Sequence, residues 1–146
     1  MSSSETVIEK IVYEYGNIRS EEHGYMNGAD VFNFVIREVP RDFNRLLEFS
    51  GVGINAIDYF VFHQANSYIN GYLAKKLKLP EEKVPSTIEK FGNTSSVSIP
   101  LTMVSELGND LAGHKRIMMS GFGVGLTWGT AIVDLDKCYI GKIVEI

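Results

Sequence analysis

The sequence predicts an α/β domain in which a mixed sheet of about five strands carries helices on both faces. The chain has 146 residues, of which 45% are hydrophobic and 22% charged, which suits one globular domain. Stretches with helical periodicity alternate with a short apolar run in the middle of the chain, and β-rich stretches follow one another near its end. This composition excludes disorder as the main state and excludes a fibrous repeat.

The first third of the sequence predicts one strand and two helices. Val7–Tyr15 is β-rich and is predicted to be a strand, and the polar stretch Gly16–Gly24 is predicted to be a loop. From Gly28 onward, apolar residues recur at helical spacing. Pro40 is expected to end that helix and to lie in the first turn of a second one, which the segment Gly51–Gly53 ends. The apolar positions of the first helix are Val31, Phe32, Val35 and Val39.

The remainder of the chain predicts a buried strand, two further helices and a hairpin. Tyr59–Phe62 is wholly apolar, which is typical of a strand covered on both faces. An amphipathic helix follows it and ends before Pro80. The helix predicted over Val97–Leu107 is apolar nearly all round, so we expect it to lie between layers and to expose an apolar patch that favours self-association or a partner. The predicted hairpin strands are Leu126–Leu135 and Tyr139–Ile146.

Charge and cysteine content exclude several classes of function. The net charge of -4 argues against a nucleic-acid-binding surface, which needs a basic face. No apolar run approaches the roughly 18 residues of a membrane span, and the start of the sequence lacks the pattern of a signal peptide. The single cysteine, Cys138, cannot form an internal disulfide, and the three histidines lack metal-ligand spacing. We therefore expect a cytoplasmic protein without a metal site.

His63 is the first candidate for chemistry. It follows the apolar strand at the turn into a helix, which is the edge of an α/β sheet where ligands bind. The positive end of a helix dipole disfavours imidazolium, so His63 is expected to stay neutral and to donate a hydrogen bond, for example to a carbonyl. The alternative is a histidine that caps a helix or is satisfied in the core.

Two loops and two surface features supply the other candidates. Asn93, after Gly92 and before a helix, is either an N-cap or an amide donor aimed at an oxyanion. The stretch Gly121–Gly125 leads into a strand, so it does not match a nucleotide phosphate loop, which opens a helix. It is either a tight bend or a run of backbone N–H groups that line an acyl site. Cys138 is interpreted as a bystander thiol. The cluster of Lys75, Lys76 and Lys78 is either a solvated helix face or a contact for an acidic carrier.

Taken together, these motifs resemble the C-terminal half of 3-oxoacyl-(acyl-carrier-protein) synthase III, over about Gly24 to Leu135. The thirty-position step from His63 to Asn93 and the order histidine, asparagine, glycine loop match that family. The resemblance implies a thiolase-like half fold, with residues 1–146 forming the C-terminal domain. It also implies that the N-terminal half, which carries a nucleophilic cysteine, is absent. The matching motifs are Met26–Phe32, Phe62–Asn66, Phe91–Ser96 and Gly121–Gly129.

The resemblance implies a decarboxylative condensation. In the family a cysteine is acylated by an acyl-CoA, and a histidine and an asparagine hold the thioester carbonyl of malonyl-carrier while carbon dioxide leaves. His63 and Asn93 match these two residues, Cys138 does not match the cysteine, and the chain alone is expected to be inactive. The resemblance also implies that Gly28 and Asn66 lie near the pantetheine arm of the substrate and that Phe122 is the aromatic residue beside the cysteine. It implies that a backbone N–H near Val124 helps hold the acyl oxyanion. Lys75 and Lys76 remain as residues that could dock the carrier.

The implied partners are the N-terminal half of the enzyme, an acyl carrier protein, acyl-CoA and a second copy in a homodimer. No cofactor is implied beyond CoA and carrier thioesters as substrates. At Tyr68 and Asn33 family members carry basic residues that dock the carrier, and Val124 replaces a glycine. Two alternatives stay open: half of a related O- or N-acyltransferase or secondary-metabolite condensing enzyme, and a non-catalytic thiolase-like assembly module.

Overall fold

The computed structural model describes residues 11–12, 18–19, 27–108, 110–111, 113–123, 125–136 and 138–144. Its strands are β1 (Ile11–Val12), β2 (Ile18–Arg19), β3 (Tyr59–Phe62), β4 (Lys115–Gly123) and β5 (Thr127–Leu135). Its helices are α1 (Gly28–Ser50), α2 (Ser67–Lys76), α3 (Ile88–Phe91) and α4 (Ser98–Leu107). In the part of the chain that these ranges cover, no helix combines the length and the apolar character needed to cross a membrane.

The main sheet is mixed, as predicted, but it is smaller than predicted. Its order is β3-β4-β5, with β3 parallel to β4 and β4 antiparallel to β5, whereas β1 and β2 form a separate two-stranded ladder. The described residues therefore place three strands in the main sheet rather than about five. β1 lies within the predicted first strand, and β2 lies where a loop was predicted; the rest of residues 7–24 lies outside the described residues.

The terminal hairpin lies earlier in the chain than predicted. Leu126–Leu135 does contain a strand, β5, but its partner is β4 and not the segment after residue 138. Residues 138–144 form neither helix nor strand. The reason is that β4 continues through the first glycines of the predicted glycine-rich turn, so Gly121 pairs with Gly129 and the reversal follows at Gly125 and Leu126.

Helices cover β3 on both faces, as its wholly apolar sequence predicts. Phe60 and Phe62 are buried in a cluster with apolar residues of α1 and α2. Val61, which points to the opposite face because side chains alternate along a strand, is buried in a second cluster with Leu107 of α4. The alternation of Phe60, Val61 and Phe62 thus joins two helical layers through one strand.

The predicted helix break at Pro40 is wrong, because α1 runs without interruption through the proline. Proline lacks the N–H that would bond the carbonyl four residues earlier, which here is Ile36. The Lys76 ammonium of α2 donates to that Ile36 oxygen at 2.7 Å and replaces the missing partner. The predicted end of the helix is confirmed: Gly51 caps it in the left-handed conformation, with φ 66°.

We expect Lys76→Met to destabilise the fold. The substitution keeps an apolar stem over Tyr72 but removes the donor to the Ile36 carbonyl, so the free energy of unfolding should fall by about 1–2 kcal/mol. Urea denaturation of the chain measures this difference. The matched control is Lys75→Met, since Lys75 is an exposed neighbour on the same helix. Equal stabilities for the two variants would contradict this role of Lys76.

The helix predicted over Val97–Leu107 is confirmed as α4, with Pro100 in its first turn. Its N-terminal approach leaves apolar side chains open to solvent. Val97 is 55% exposed, and Phe91 at the end of α3 is 41% exposed. The predicted self-association through this surface stays a prediction.

Candidate active site

His63 lies at the carboxyl end of the parallel strand pair. It directly follows β3, and its backbone N–H donates to the Ser120 carbonyl of β4 at 2.9 Å, which extends the ladder by one residue. The ring packs edge-on against Phe122 with a centroid separation of 5.2 Å. Its Nδ1 lies 2.6 Å from the Ser98 hydroxyl oxygen, at the start of α4. The imidazole is therefore held between the sheet and α4, at the edge where α/β proteins bind ligands.

The environment of His63 favours the neutral imidazole. Burial lowers the pKa of His63 from its ordinary value, and a hydrogen bond with the Ser95 backbone acts in the opposite direction. The direction agrees with the sequence prediction, but the main cause is burial. α2 begins only at Ser67, so His63 does not stand at the N-terminus of that helix.

We expect the stability of the fold to fall as the pH drops below neutrality. Because the pKa of His63 is lower in the folded chain than in the unfolded chain, the unfolded state binds more protons between the lowered pKa and the ordinary value of 6.5. The free energy of unfolding should therefore decline as the pH falls through that interval. Melting temperatures between about pH 7.5 and pH 5 measure the decline. His63→Gln should flatten the profile, and an equally steep profile in this variant would contradict the assignment.

Asn93 lies in the loop between α3 and α4, and a hydrogen bond to its side-chain oxygen orients its amide group. Oδ1 accepts the Ser95 N–H at 2.9 Å, at the start of a short 3₁₀ turn over Ser95–Val97. Asn93 thus stabilises the chain reversal before this turn, but the residue that precedes the turn is Thr94 and the one that precedes α4 is Val97, so the interpretation of Asn93 as an N-cap is wrong. In the described part of the chain Nδ2 makes no hydrogen bond, and the residue is exposed, so both amide hydrogens are available to a ligand.

Ser95 lies close to both candidate residues, a position that the sequence analysis did not single out. Its N–H donates to Asn93 Oδ1 at 2.9 Å, and its backbone opposes the lowering of the His63 pKa. Its φ is 56°, in the left-handed region that a serine occupies at a cost of about 1 kcal/mol or more. Such strain persists where the surrounding structure fixes it.

Gln64 and Ser98 are two further site residues that the sequence analysis did not assign. Gln64 is fully buried, and its N–H donates to the Ser98 oxygen at 3.2 Å. Its side-chain amide donates to the Phe62 carbonyl at 2.8 Å, and its oxygen accepts from the Thr87 N–H at 3.0 Å and the Ser86 hydroxyl at 3.1 Å. This side chain therefore ties the end of β3 to the loop before α3. Only the proximity of both residues to His63 and Asn93 in the sequence hints at these roles.

The remaining predicted substrate-binding residues occupy different elements. Asn66 caps α2 by accepting the Ile69 N–H at 2.8 Å, and Gly28 is the exposed first residue of α1. Phe122 is buried and its ring packs against His63, and its implied position beside a nucleophilic cysteine stays a prediction. Val124 lies outside the described residues.

Lys75, Lys76 and Cys138 differ in whether their side chains already contact other groups of the chain. Lys75 is exposed in the last turn of α2, whereas Lys76 is bound to the Ile36 carbonyl and lies over the Tyr72 ring at 5.6 Å. Cys138 is exposed, and its sulfur lies 3.9 Å from the Asp136 carbonyl. Lys75 is thus the better placed of the two lysines for an external partner.

A cavity of about 450 Å³ lies elsewhere, between the C-terminal half of α4 and residues 140–143. Neither His63 nor Asn93 lines it. The candidate site is instead an open edge, formed by the end of β3, the turn at Ser95 and the start of α4.

Comparison with known proteins gives a consistent picture. Residues 47–135 match the family model described as 3-oxoacyl-[acyl-carrier-protein (ACP)] synthase III C terminal. The beta-ketoacyl-[acyl-carrier-protein] synthase III of Lactococcus lactis subsp. cremoris MG1363 is 37% identical over 134 residues, covering 90% of this chain and 39% of that protein. Synthase III 1 of Bacillus cereus ATCC 14579 is 43% identical over 122 residues, covering 83% and 39%.

Solved structures agree with the sequence relatives. A crystal structure of a 3-oxoacyl-(acyl-carrier protein) synthase from Burkholderia xenovorans LB400 superposes with a TM-score of 0.78 at 39% identity, covering 82% of this chain and 35% of that one. The fold is accordingly the thiolase-like half fold that the resemblance implied. The chain spans about two fifths of the length of the curated relatives it matches.

Proposed function

Because the chain belongs to the family of 3-oxoacyl-(acyl-carrier-protein) synthase III C-terminal domains, we propose that it forms the C-terminal half of a condensing enzyme. The proposed reaction joins an acyl group from acyl-CoA to the two-carbon unit of malonyl-carrier, with loss of carbon dioxide. An N-terminal half supplies the nucleophilic cysteine, and the assembled enzyme is a homodimer. The chain alone is inactive in this proposal, and Cys138 plays no part in the chemistry.

One observation carries this proposal: the Ser98 hydroxyl holds the His63 ring at 2.6 Å and the Ser95 N–H holds Asn93 Oδ1 at 2.9 Å, so both side chains are anchored in the segment that leads into α4. Two neutral hydrogen-bond donors anchored in one short segment suit a single oxygen atom that becomes negative during the reaction. Malonyl decarboxylation has that requirement, because the electron pair of the breaking carbon–carbon bond moves towards the thioester oxygen. The resulting carbanion attacks the carbonyl carbon of the acyl-cysteine, and the cysteine leaves as a thiolate.

Burial of His63 supports the same chemistry. A lowered pKa keeps the imidazole neutral, so that it donates a hydrogen bond without having to give up a proton. Phe122 packs on the ring and excludes water from one side, which strengthens a hydrogen bond to the developing negative charge. Asn66 and Gly28 are proposed to contact the pantetheine arm of the substrate. The Val124 N–H is proposed to bind the acyl oxyanion, and Lys75 is proposed to contact the acidic carrier.

A chimera tests the proposal. In the chimera, this chain replaces the C-terminal part of the Bacillus cereus relative, the part to which it is 43% identical over 122 residues. The N-terminal half of that relative is kept. We expect the chimera to release carbon dioxide from malonyl-carrier and to form a 3-oxoacyl product with an acyl-CoA. A folded chimera that transfers acyl groups to oxygen or nitrogen without decarboxylation would instead indicate a related acyltransferase. A folded chimera with neither activity would favour an assembly module.

A further inference from the structure

The Ser98 hydroxyl is the immediate partner of the His63 ring. Its oxygen lies 2.6 Å from Nδ1 and receives the Gln64 N–H at 3.2 Å, and Ser98 is only 1% exposed. We propose that Ser98 donates its proton to Nδ1 and thereby fixes His63 as the tautomer that carries its hydrogen on Nε2. The inference rests on the proposed function, because it assigns Ser98 a positioning role in that same site.

The direction of this hydrogen bond follows from the number of partners. A serine hydroxyl has one hydrogen to donate and two lone pairs to accept with. The Gln64 N–H uses one lone pair, so a hydrogen on Nδ1 would use the other and would leave the hydroxyl hydrogen without an acceptor. Among the described residues Nδ1 is the one acceptor within hydrogen-bond distance of this oxygen, and a side chain this buried has no access to bulk water. Donation from Ser98 to Nδ1 satisfies all three groups.

The position of Ser98 is itself fixed. It is the first residue of α4, and its backbone carbonyl accepts the Thr102 hydroxyl at 2.8 Å. Thr102 is fully buried and is hydrogen-bonded to Thr87 at 2.9 Å. The hydroxyl of Ser98 is thus presented to the ring from a rigid element, which is what the orientation of a donor requires.

The consequence for the reaction is a defined donor. With Nδ1 occupied as an acceptor, the one hydrogen of the neutral ring lies on Nε2. In the proposed reaction the substrate oxygen takes this hydrogen bond in place of the Ser95 backbone, and His63 donates it without becoming charged. The opposite tautomer would present a lone pair to an oxygen that gains negative charge, which is repulsive. Ser98 therefore selects the form of His63 that can stabilise the transition state.

Nitrogen-15 NMR of the histidine side chains tests the tautomer directly, because protonated and unprotonated ring nitrogens resonate far apart. In the 146-residue chain we expect one His63 form, with hydrogen on Nε2. Ser98→Ala should make the Nδ1–H form detectable, and Ser98→Thr, which retains a hydroxyl, should restore the single form. The control is Ser105→Ala, which removes a hydroxyl from the same helix, where it bonds Glu106. An Nδ1–H tautomer in the unsubstituted chain would overturn the proposal, even if a Ser98 variant fails to fold.

Kinetics of the chimera separate this inference from the proposed function. Ser98→Ala should lower kcat for decarboxylation about fivefold to tenfold, the effect of one neutral hydrogen bond, with KM little changed. Ser98→Thr should recover most of the loss. An unchanged kcat and tautomer in Ser98→Ala would refute the role of Ser98 alone. Retained decarboxylation in His63→Ala would refute the proposed function, whatever tautomer the NMR spectra show.

Discussion

Asn93→Asp is expected to reduce malonyl decarboxylation by the chimera about a thousandfold, the upper range for loss of one oxyanion donor. The substitution keeps an oxygen that accepts the Ser95 N–H, so the hydrogen bond that leads into the turn over Ser95–Val97 is retained. The NH₂ group is replaced by a second carboxylate oxygen. A negative charge then faces the oxygen on which negative charge develops, which adds repulsion to the loss of a donor.

The shape of Asp is close to that of Asn, so the experiment changes chemistry with little change in structure. Carbon dioxide release at saturating malonyl-carrier measures the effect, and circular dichroism checks that the fold is intact. Asn55→Asp serves as the control, because it adds the same charge on an exposed turn. An activity within threefold of the unsubstituted chimera would remove Asn93 from the mechanism.

Gln64→Met is expected to lower the free energy of unfolding by about 3 kcal/mol. The side chains have similar volumes, so no large cavity forms. The Phe62 carbonyl loses its donor, and the buried Thr87 N–H loses its acceptor. Each buried polar group left without a partner costs about 1–3 kcal/mol, which makes this single amide one of the most important in the fold.

Chemical denaturation followed by fluorescence measures that difference. Leu79→Met is the matched control, because it introduces the same side chain at a buried apolar position, and such a swap costs less than about 1.5 kcal/mol. If Gln64→Met were as stable as Leu79→Met, the three side-chain hydrogen bonds of Gln64 would not contribute to stability as the geometry indicates.

The sequence predicts the centre of the fold well because local patterns decide it. The uninterrupted apolar run of β3 requires cover on both faces, and the structure provides it. Pro40 shows the limit of such reasoning. The rule that proline ends a helix fails here, where Lys76 supplies a donor to the carbonyl of Ile36, from which it is separated by forty positions in the sequence. A contact of that range has no local signature in one sequence.

In the candidate site, too, local sequence motifs predict some features and long-range packing determines the others. The motifs around His63 and Asn93 pointed to the two residues, and the structure anchors them at the Ser98 hydroxyl and the Ser95 N–H, in the segment that leads into α4. The left-handed conformation of Ser95 and the hydroxyl partner of the imidazole were not predicted. Both depend on the packing of α4 against the end of β3, which periodicity does not determine.

The parallel pairing of β3 with β4 also has a consequence for the order of folding. β4 and β5 are joined by a tight reversal, so their hairpin closes a short loop at small entropic cost. β3 can pair with β4 only after residues 63–114 have crossed over, and that long closure is slow. His63 and Ser98 both lie on this crossover, so we expect the reactive edge to be assembled in the last stage of folding, on a hairpin that has already formed.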